Sequence, residues 1–444
     1  MRTLVAVGVL AGLAVLAACG QSKEAKIFPY DYDVVQLDNG FKAYLIEAGA
    51  PGQIAYVSMV RTGSRDEVEP GRTGYAHFFE HMMFRGTEKY PQYDDVTSSM
   101  GASRNAFTSN DMTVFYLVAS NEYLEKIMDL ESDRFQNLAY SESDFRTEAG
   151  SILGEYQQGA RSPYQFLNER LLETAYDAHT YRHTVIGYEK DVRAMPEGYA
   201  YSRSFYDRFY RPENVVLVIA GDFDHAKAKR LIEQYYGGWE AGYVAPAVPV
   251  EPEQAAPREK TIGYPGRTLP VLSINYKAPA WSATDTLAVA TEVLGAVAFG
   301  SNSDLYKKLV IQDRRVQYLR GGFGLARDPA LVDITTMVND PADLPAVEEE
   351  ILATVERFQT EPVDAQLLAD TKSSMKYGFL MGLETAQDVA FSLVQVVIDT
   401  GGIEAVDDYY HTLEAVTPEH VRRAAERVLT ANRRTTMTMV QAAR

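Results

Sequence analysis

The sequence predicts an α+β protein of two homologous domains, each a mixed, mostly antiparallel sheet covered by helices and related by internal duplication. Three observations carry that reading. Short apolar or alternating runs, the pattern of strands, interleave with longer stretches of helical period. At 444 residues the chain is too long for one compact core. The same order of elements also resumes after 243–257, a stretch rich in Pro, Ala and Val without periodicity.

Taken in order, 34–37 and 41–46 are extended runs joined by Asp38-Asn39-Gly40, a hairpin turn. Strands follow at 53–61 and 113–118, and the apolar run 215–220 is a buried one. Helical patterns fall near 74–85, 92–101, 121–136, 142–159, 164–175 and 196–209. After the 243–257 linker, strands are expected near 259–264, 268–277, 316–325, 331–338 and 434–440. Helices are expected near 283–298, 303–313, 343–359, 363–378, 384–400, 404–413 and 417–429. The domains are therefore 28–242 and 258–444.

Chemistry concentrates in His77-Phe78-Phe79-Glu80-His81, which uses two of the seven histidines. Residues four apart share a helix face, so two imidazoles there can grip one Zn²⁺, with Glu80 beside them to take a proton from water. Tyr75, Phe78, Phe79, Met82 and Met83 form the apolar stripe of that helix, and the polar trio sits on the opposite side. Without further ligands the same pattern also suits two solvated surface histidines. A catalytic zinc needs a third protein ligand. The best source is the helix 142–159, where Phe145, Ala149, Ile152, Leu153 and Tyr156 make a stripe and Glu148 and Glu155 project from nearly one side. One of the two would bind metal and the other orient a ligand or substrate; spacing leaves the choice open. Gly150 and Gly154 lower helix propensity but would let a neighbouring helix approach.

Further stretches add a resemblance. Gly74–Thr87, Asn105–Tyr116, the Glu148/Glu155 pair, His179–Gly187 and Tyr210–Phe223 run in the order of the pitrilysin or insulinase zinc metallopeptidases, the inverzincins. That family includes mitochondrial processing peptidase, and this chain resembles its zinc-bearing type of subunit. The resemblance implies that Glu155 is the third zinc ligand and Glu148 an acid behind a ligand. It also implies that Asn105, Ala106 and Phe107 lie on an edge strand receiving peptide as an added strand. Asn105 would hold that peptide near the metal. Tyr181 and Asn214 match the family too, but packing accounts for them equally well.

The second half carries no such site. His411 and His420 lie apart from any suitable Glu arrangement, and 282–297 holds Asp285 and Glu292 without a metal pattern. Active relatives draw an Arg and a Tyr from the inactive half. In the matching segment, Leu305–Tyr318, Val310 stands at the Arg position and the Tyr falls at Gln317 or Tyr318. The resemblance thus implies a homologous partner chain, in a homo- or heterodimer, that supplies the Arg/Tyr pair.

A net charge of −18 disfavours nucleic acid as a partner. Met1-Arg2 followed by the apolar run 4–18 reads as a secretion signal. It ends in Leu16-Ala17-Ala18-Cys19, which resembles a bacterial lipobox, and Cys19 is the single cysteine. The expectation is a signal peptide at 1–18, lipidation on Cys19, a tether at 19–27 and a periplasmic protein anchored to the outer membrane. The functional expectation is a zinc-dependent endopeptidase acting on peptides or small unfolded polypeptides. The alternatives are a catalytically silent zinc-bearing scaffold and a periplasmic peptide-binding lipoprotein.

Overall fold

The computed structural model describes residues 26–49, 51–324 and 326–443; the leader and Cys19 lie outside the described residues. The first half contains β1 (Tyr32–Gln36), β2 (Lys42–Glu47), β3 (Gln53–Val60), α1 (Tyr75–Met82), α2 (Tyr93–Ser99), β4 (Ser103–Thr108) and β5 (Thr113–Ser120). It continues with α3 (Leu124–Asn137), α4 (Glu142–Gly159), α5 (Pro163–Ala175), α6 (Glu189–Ala194), α7 (Tyr199–Phe209), β6 (Val215–Gly221) and α8 (His225–Tyr236). No helix or strand is found at 240–257.

The second half contains β7 (Arg258–Tyr264), β8 (Val271–Lys277), α9 (Thr286–Phe299), α10 (Asp304–Tyr306), which runs into a π turn at Lys307–Gln312, β9 (Val316–Gly322) and β10 (Leu331–Val338). Helices α11 (Leu344–Thr360), α12 (Ala365–Met381), α13 (Ala386–Thr400), α14 (Ala405–Ala415) and α15 (Pro418–Val428) precede β11 (Arg434–Gln441).

The duplication is written in the sheets. The first has the order β1-β2-β6-β3-β5-β4 and the second β7-β11-β8-β10-β9. Matching β2–β6 one to one with β7–β11 reproduces the order and every pairing sense. Thus β2/β6 and β7/β11 are the parallel pairs, and their neighbours are antiparallel.

The halves also cover one another. One face of β3 (Ile54, Tyr56, Val60) packs with the first half's own helices. The other face (Ala55, Val57, Met59) joins a core that includes Val389, Leu393 and Val397 of α13. Reciprocally, Leu167 and Leu171 of α5 pack on Ile262, Val271, Met437 and Met439 of the second sheet. A sheet buried on both faces reads as continuous apolar runs, which is why β3 and β6 show so little alternation.

Three expectations need correction. Strand β4 and helices α6 and α8 are real elements that periodicity did not single out. Gly150 and Gly154 do not receive a neighbouring helix: nothing lies within 4 Å of where their Cβ atoms would be. They sit on the solvent side of α4, opposite the buried stripe of Phe145, Ala149, Ile152 and Tyr156. The expected helix at 303–313 is a short α turn followed by the wider π turn.

Candidate metal centre and cleft

Helix α1 is held in place at both its face and its end. Phe78, Phe79, Met82 and Met83 are completely buried, as the stripe predicts. Its first turn has no side-chain cap of its own. Glu67 supplies one from outside, accepting the N–H of Gly74 and of Ala76 at 2.7 Å each. Gly74 has φ +91°, and a Cβ there would lie 2.6 Å from the Ile186 carbonyl oxygen, so the tight entry to the helix requires glycine. Burial pushes the Glu67 carboxyl up to about 8, against the pull of its two N–H bonds.

Helix α4 begins at Ser141, whose hydroxyl accepts the Asp144 N–H at 3.1 Å. Its buried stripe packs it beside α1 and turns Glu148 and Glu155 toward the two histidines. Glu155 Oε2 lies 3.6 Å from His77 Nε2 and 3.6 Å from His81 Nε2. The imidazole rings are 4.9 Å apart at 75°. Behind them, Glu148 Oε1 is 2.9 Å from His81 Nδ1, while Arg85 donates to Glu148 Oε2 at 2.5 and 3.1 Å. Glu80 accepts the Thr108 hydroxyl proton at 2.7 Å.

The three facing groups suit a divalent ion. One atom from each of His77, His81 and Glu155 falls within 4.8 Å of the other two, and among the described residues this is the group that could hold a metal. Burial and the neighbouring His81 hold His77 down to about 4, so its imidazole is neutral, the form that donates a lone pair. The bond to Glu148 raises His81, and the same bond lowers Glu148. A charged Glu148 accepting the Nδ1–H leaves Nε2 of His81 free for metal. Burial raises the Glu80 carboxyl above its ordinary value.

His77, Glu80 and Glu155 line a cleft of about 810 Å³ together with Phe107, Thr108 and Tyr156. Of the three expected peptide-binding positions, Asn105, Ala106 and Phe107 all lie on β4, which is an edge strand of the first sheet. Only Phe107 lines the cleft; Ala106 is buried, and Asn105 is exposed on the strand. Sequence reasoning missed Thr108, the residue that reaches Glu80. Of the residues left to packing, Asn214 bonds Thr62 and the Phe209 carbonyl, and Tyr181 donates to Asp111. In the second half, Val310 lies in the π turn and Gln317 is exposed. Tyr318 is paired with Tyr164 of α5.

An inverted His-x-x-Glu-His helix with a remote glutamate, on one lobe of a duplicated sheet-and-helix fold, defines a zinc-metallopeptidase type of site. The chain belongs to the insulinase family, peptidase family M16. Residues 45–189 match the model described as "Insulinase (Peptidase family M16)", and 199–375 match "Peptidase M16 inactive domain". The second match begins upstream of the 243–257 segment, although β6 belongs to the first sheet. The family is zinc-dependent.

The chain is 25% identical over 404 residues to zinc protease PqqE of Helicobacter pylori, covering 89% of each chain. It shares its fold with a protease from Helicobacter pylori at a TM-score of 0.85 and 23% identity, over 93% of this chain and 100% of that one. It also shares its fold with the periplasmic protease PqqL from Escherichia coli at a TM-score of 0.75 and 19% identity. That match covers 93% of this chain but 48% of PqqL.

Proposed function

We propose that this chain is a zinc-dependent endopeptidase acting on peptides or small unfolded polypeptides. The observation that carries the proposal is the meeting of His77, His81 and Glu155 around one point, with Glu80 in the same cleft. Zinc held by those three side chains supplies Lewis acidity toward water and the scissile carbonyl. Glu80 takes the proton of the attacking water and returns it to the leaving amine. Thr108 fixes the orientation of that carboxylate. Glu148 holds His81 in the ligating tautomer, and Arg85 keeps Glu148 in place. The open edge of β4 offers backbone groups to an extended substrate, with Phe107 facing the cleft.

The working unit is a pair of homologous chains. Val310 at the expected Arg position supports this, and so does the length of PqqL, of which this chain covers about half. The lipobox-like Leu16–Cys19 supports export and anchoring through Cys19 to the outer membrane on its periplasmic side. The Val310 substitution also favours a second reading, a zinc-bearing scaffold that is silent alone.

One experiment separates the two. The purified chain, alone and with homologous chains from the same genome, is given a quenched-peptide library. Cleavage that stops with a chelator, and that Glu80→Gln abolishes while zinc stays bound, is the expected result. Bound zinc without turnover in any pairing favours the scaffold.

A further inference from the structure

A second cavity, of about 410 Å³, lies where α5 meets the second sheet, and it shares Asn110, Asn168 and Leu172 with the catalytic cleft. Its floor is the face of β8 and β10 that does not pack on the second half's helices. Register sets Asn275 opposite Asp333 and Ser273 opposite Thr335.

These four side chains form one chain of hydrogen bonds. Asn275 donates to Ser273 Oγ at 3.0 Å, Ser273 and Thr335 hydroxyls are 3.0 Å apart, and Thr335 donates to Asp333 Oδ2 at 3.2 Å. The second N–H of Asn275 goes to the Thr435 carbonyl at 3.3 Å. Every donor hydrogen of the floor is therefore spent. What remains is acceptors: Asn275 Oδ1, completely buried and without a partner, and the Asp333 carboxylate. A buried acceptor left unpaired is costly, so the cavity is suited to a guest that brings N–H groups. Asp333 is also the sole charged residue lining it; among the described residues it makes no salt bridge, and the Arg320 guanidinium acts on it only as a neighbouring charge. The nearby Arg320 guanidinium lies instead over the Tyr318 ring, 5.1 Å from its centroid. Leu167, Leu171, Leu331 and Tyr176 give apolar wall, with the amides of Asn110 and Asn168 on the side shared with the catalytic cleft.

We infer that this cavity is a specificity pocket for a lysine or arginine side chain of the substrate. Its leucine walls take the methylene stem, and Asn275 Oδ1 and Asp333 take the cationic head. Gly322, opposite Asp333 across the β9–β10 pair, leaves the space the carboxylate occupies: a Cβ there would meet Asp333 Oδ1 at 2.1 Å. The inference rests on the peptidase reading and names the side-chain class that the same cleft selects.

The test uses binding rather than turnover. Zinc-loaded full-length protein carrying Glu80→Gln is titrated into fluorescein-labelled peptides that place lysine, arginine, citrulline or norleucine at each position in turn. Fluorescence anisotropy should find one position at which lysine or arginine binds about tenfold tighter than norleucine, with citrulline between them. Adding Asp333→Asn should collapse the preference for the charged side chains over citrulline. Equal binding of norleucine and lysine at every position overturns the inference and leaves the peptidase reading standing. So does a preference that Asp333→Asn does not change. Failure to bind any of the peptides, both alone and with homologous chains from the same genome present, overturns both.

Discussion

At the scale of single residues, the candidate metal centre of His77, His81 and Glu155 is backed by a carboxylate outside that trio. Glu148 is buried, bonds His81 Nδ1 and is itself gripped by Arg85. Glu148→Gln keeps its shape but removes the charge that sets the His81 tautomer. Zinc affinity, measured by competition with a chromophoric chelator, should fall by about 10–100-fold. His77, Glu80 and His81 were legible because helix geometry makes their i, i+4 spacing meaningful. Glu148 and Glu155 were legible only as a pair. They are seven apart on one face, and what separates them is tertiary: Glu155 is half exposed beside both Nε2 atoms, whereas Glu148 lies behind His81. Thr108 gave no local signal, since its partner Glu80 is 28 positions away and meets it only when β4 packs against α1.

At the scale of elements, propensity and period gave the long helices and central strands and failed where packing decides. Strand β4 is short, polar and on an edge, so it lacks an apolar alternation; only the family resemblance marked Asn105–Phe107 as a strand. The π turn at Lys307–Gln312 is wider than an α turn, a departure that apolar periodicity does not mark. Helix α1 shows most clearly how one element is set by another. It has only eight residues, too few to be stable by itself, and its N-terminal N–H groups are satisfied by Glu67 from the preceding loop. Glu67→Ala leaves two buried N–H groups without an acceptor. It should lower unfolding free energy by about 2 kcal/mol in chemical denaturation. It should also weaken zinc binding, because His77 and His81 ride on this helix.

At the scale of the whole molecule, each half's sheet is finished by the other's helix, so the 243–257 segment does not join two independent bodies. It takes part in the contact. Glu251 accepts the N–H groups of Asp177, Ala178 and His179 at 2.9–3.1 Å and pairs with Lys277 of β8. Nearby, Asp328 of the second half bonds Arg65 at 2.5 Å and His179 Nε2 at 3.0 Å. Composition had marked 243–257 as a linker because Pro, Ala and Val without period is what a linker looks like; the single carboxylate that pins it carries no such mark. Burial alone would raise Glu251, but three backbone N–H groups and the Lys277 ammonium outweigh it and hold the carboxyl at about 2, below its ordinary 4.5. A group whose value is depressed on folding contributes stability that is complete above its unfolded value and disappears as pH falls through the folded one. The contribution of Glu251 is therefore present above pH 4.5 and is lost between 4.5 and about 2. Thermal unfolding followed by circular dichroism should show a midpoint that drops across that window in the native chain. Glu251→Gln should lower the midpoint at neutral pH and flatten the drop. If the variant kept the full acid slope, this carboxylate would not be what binds the connecting segment to the two halves.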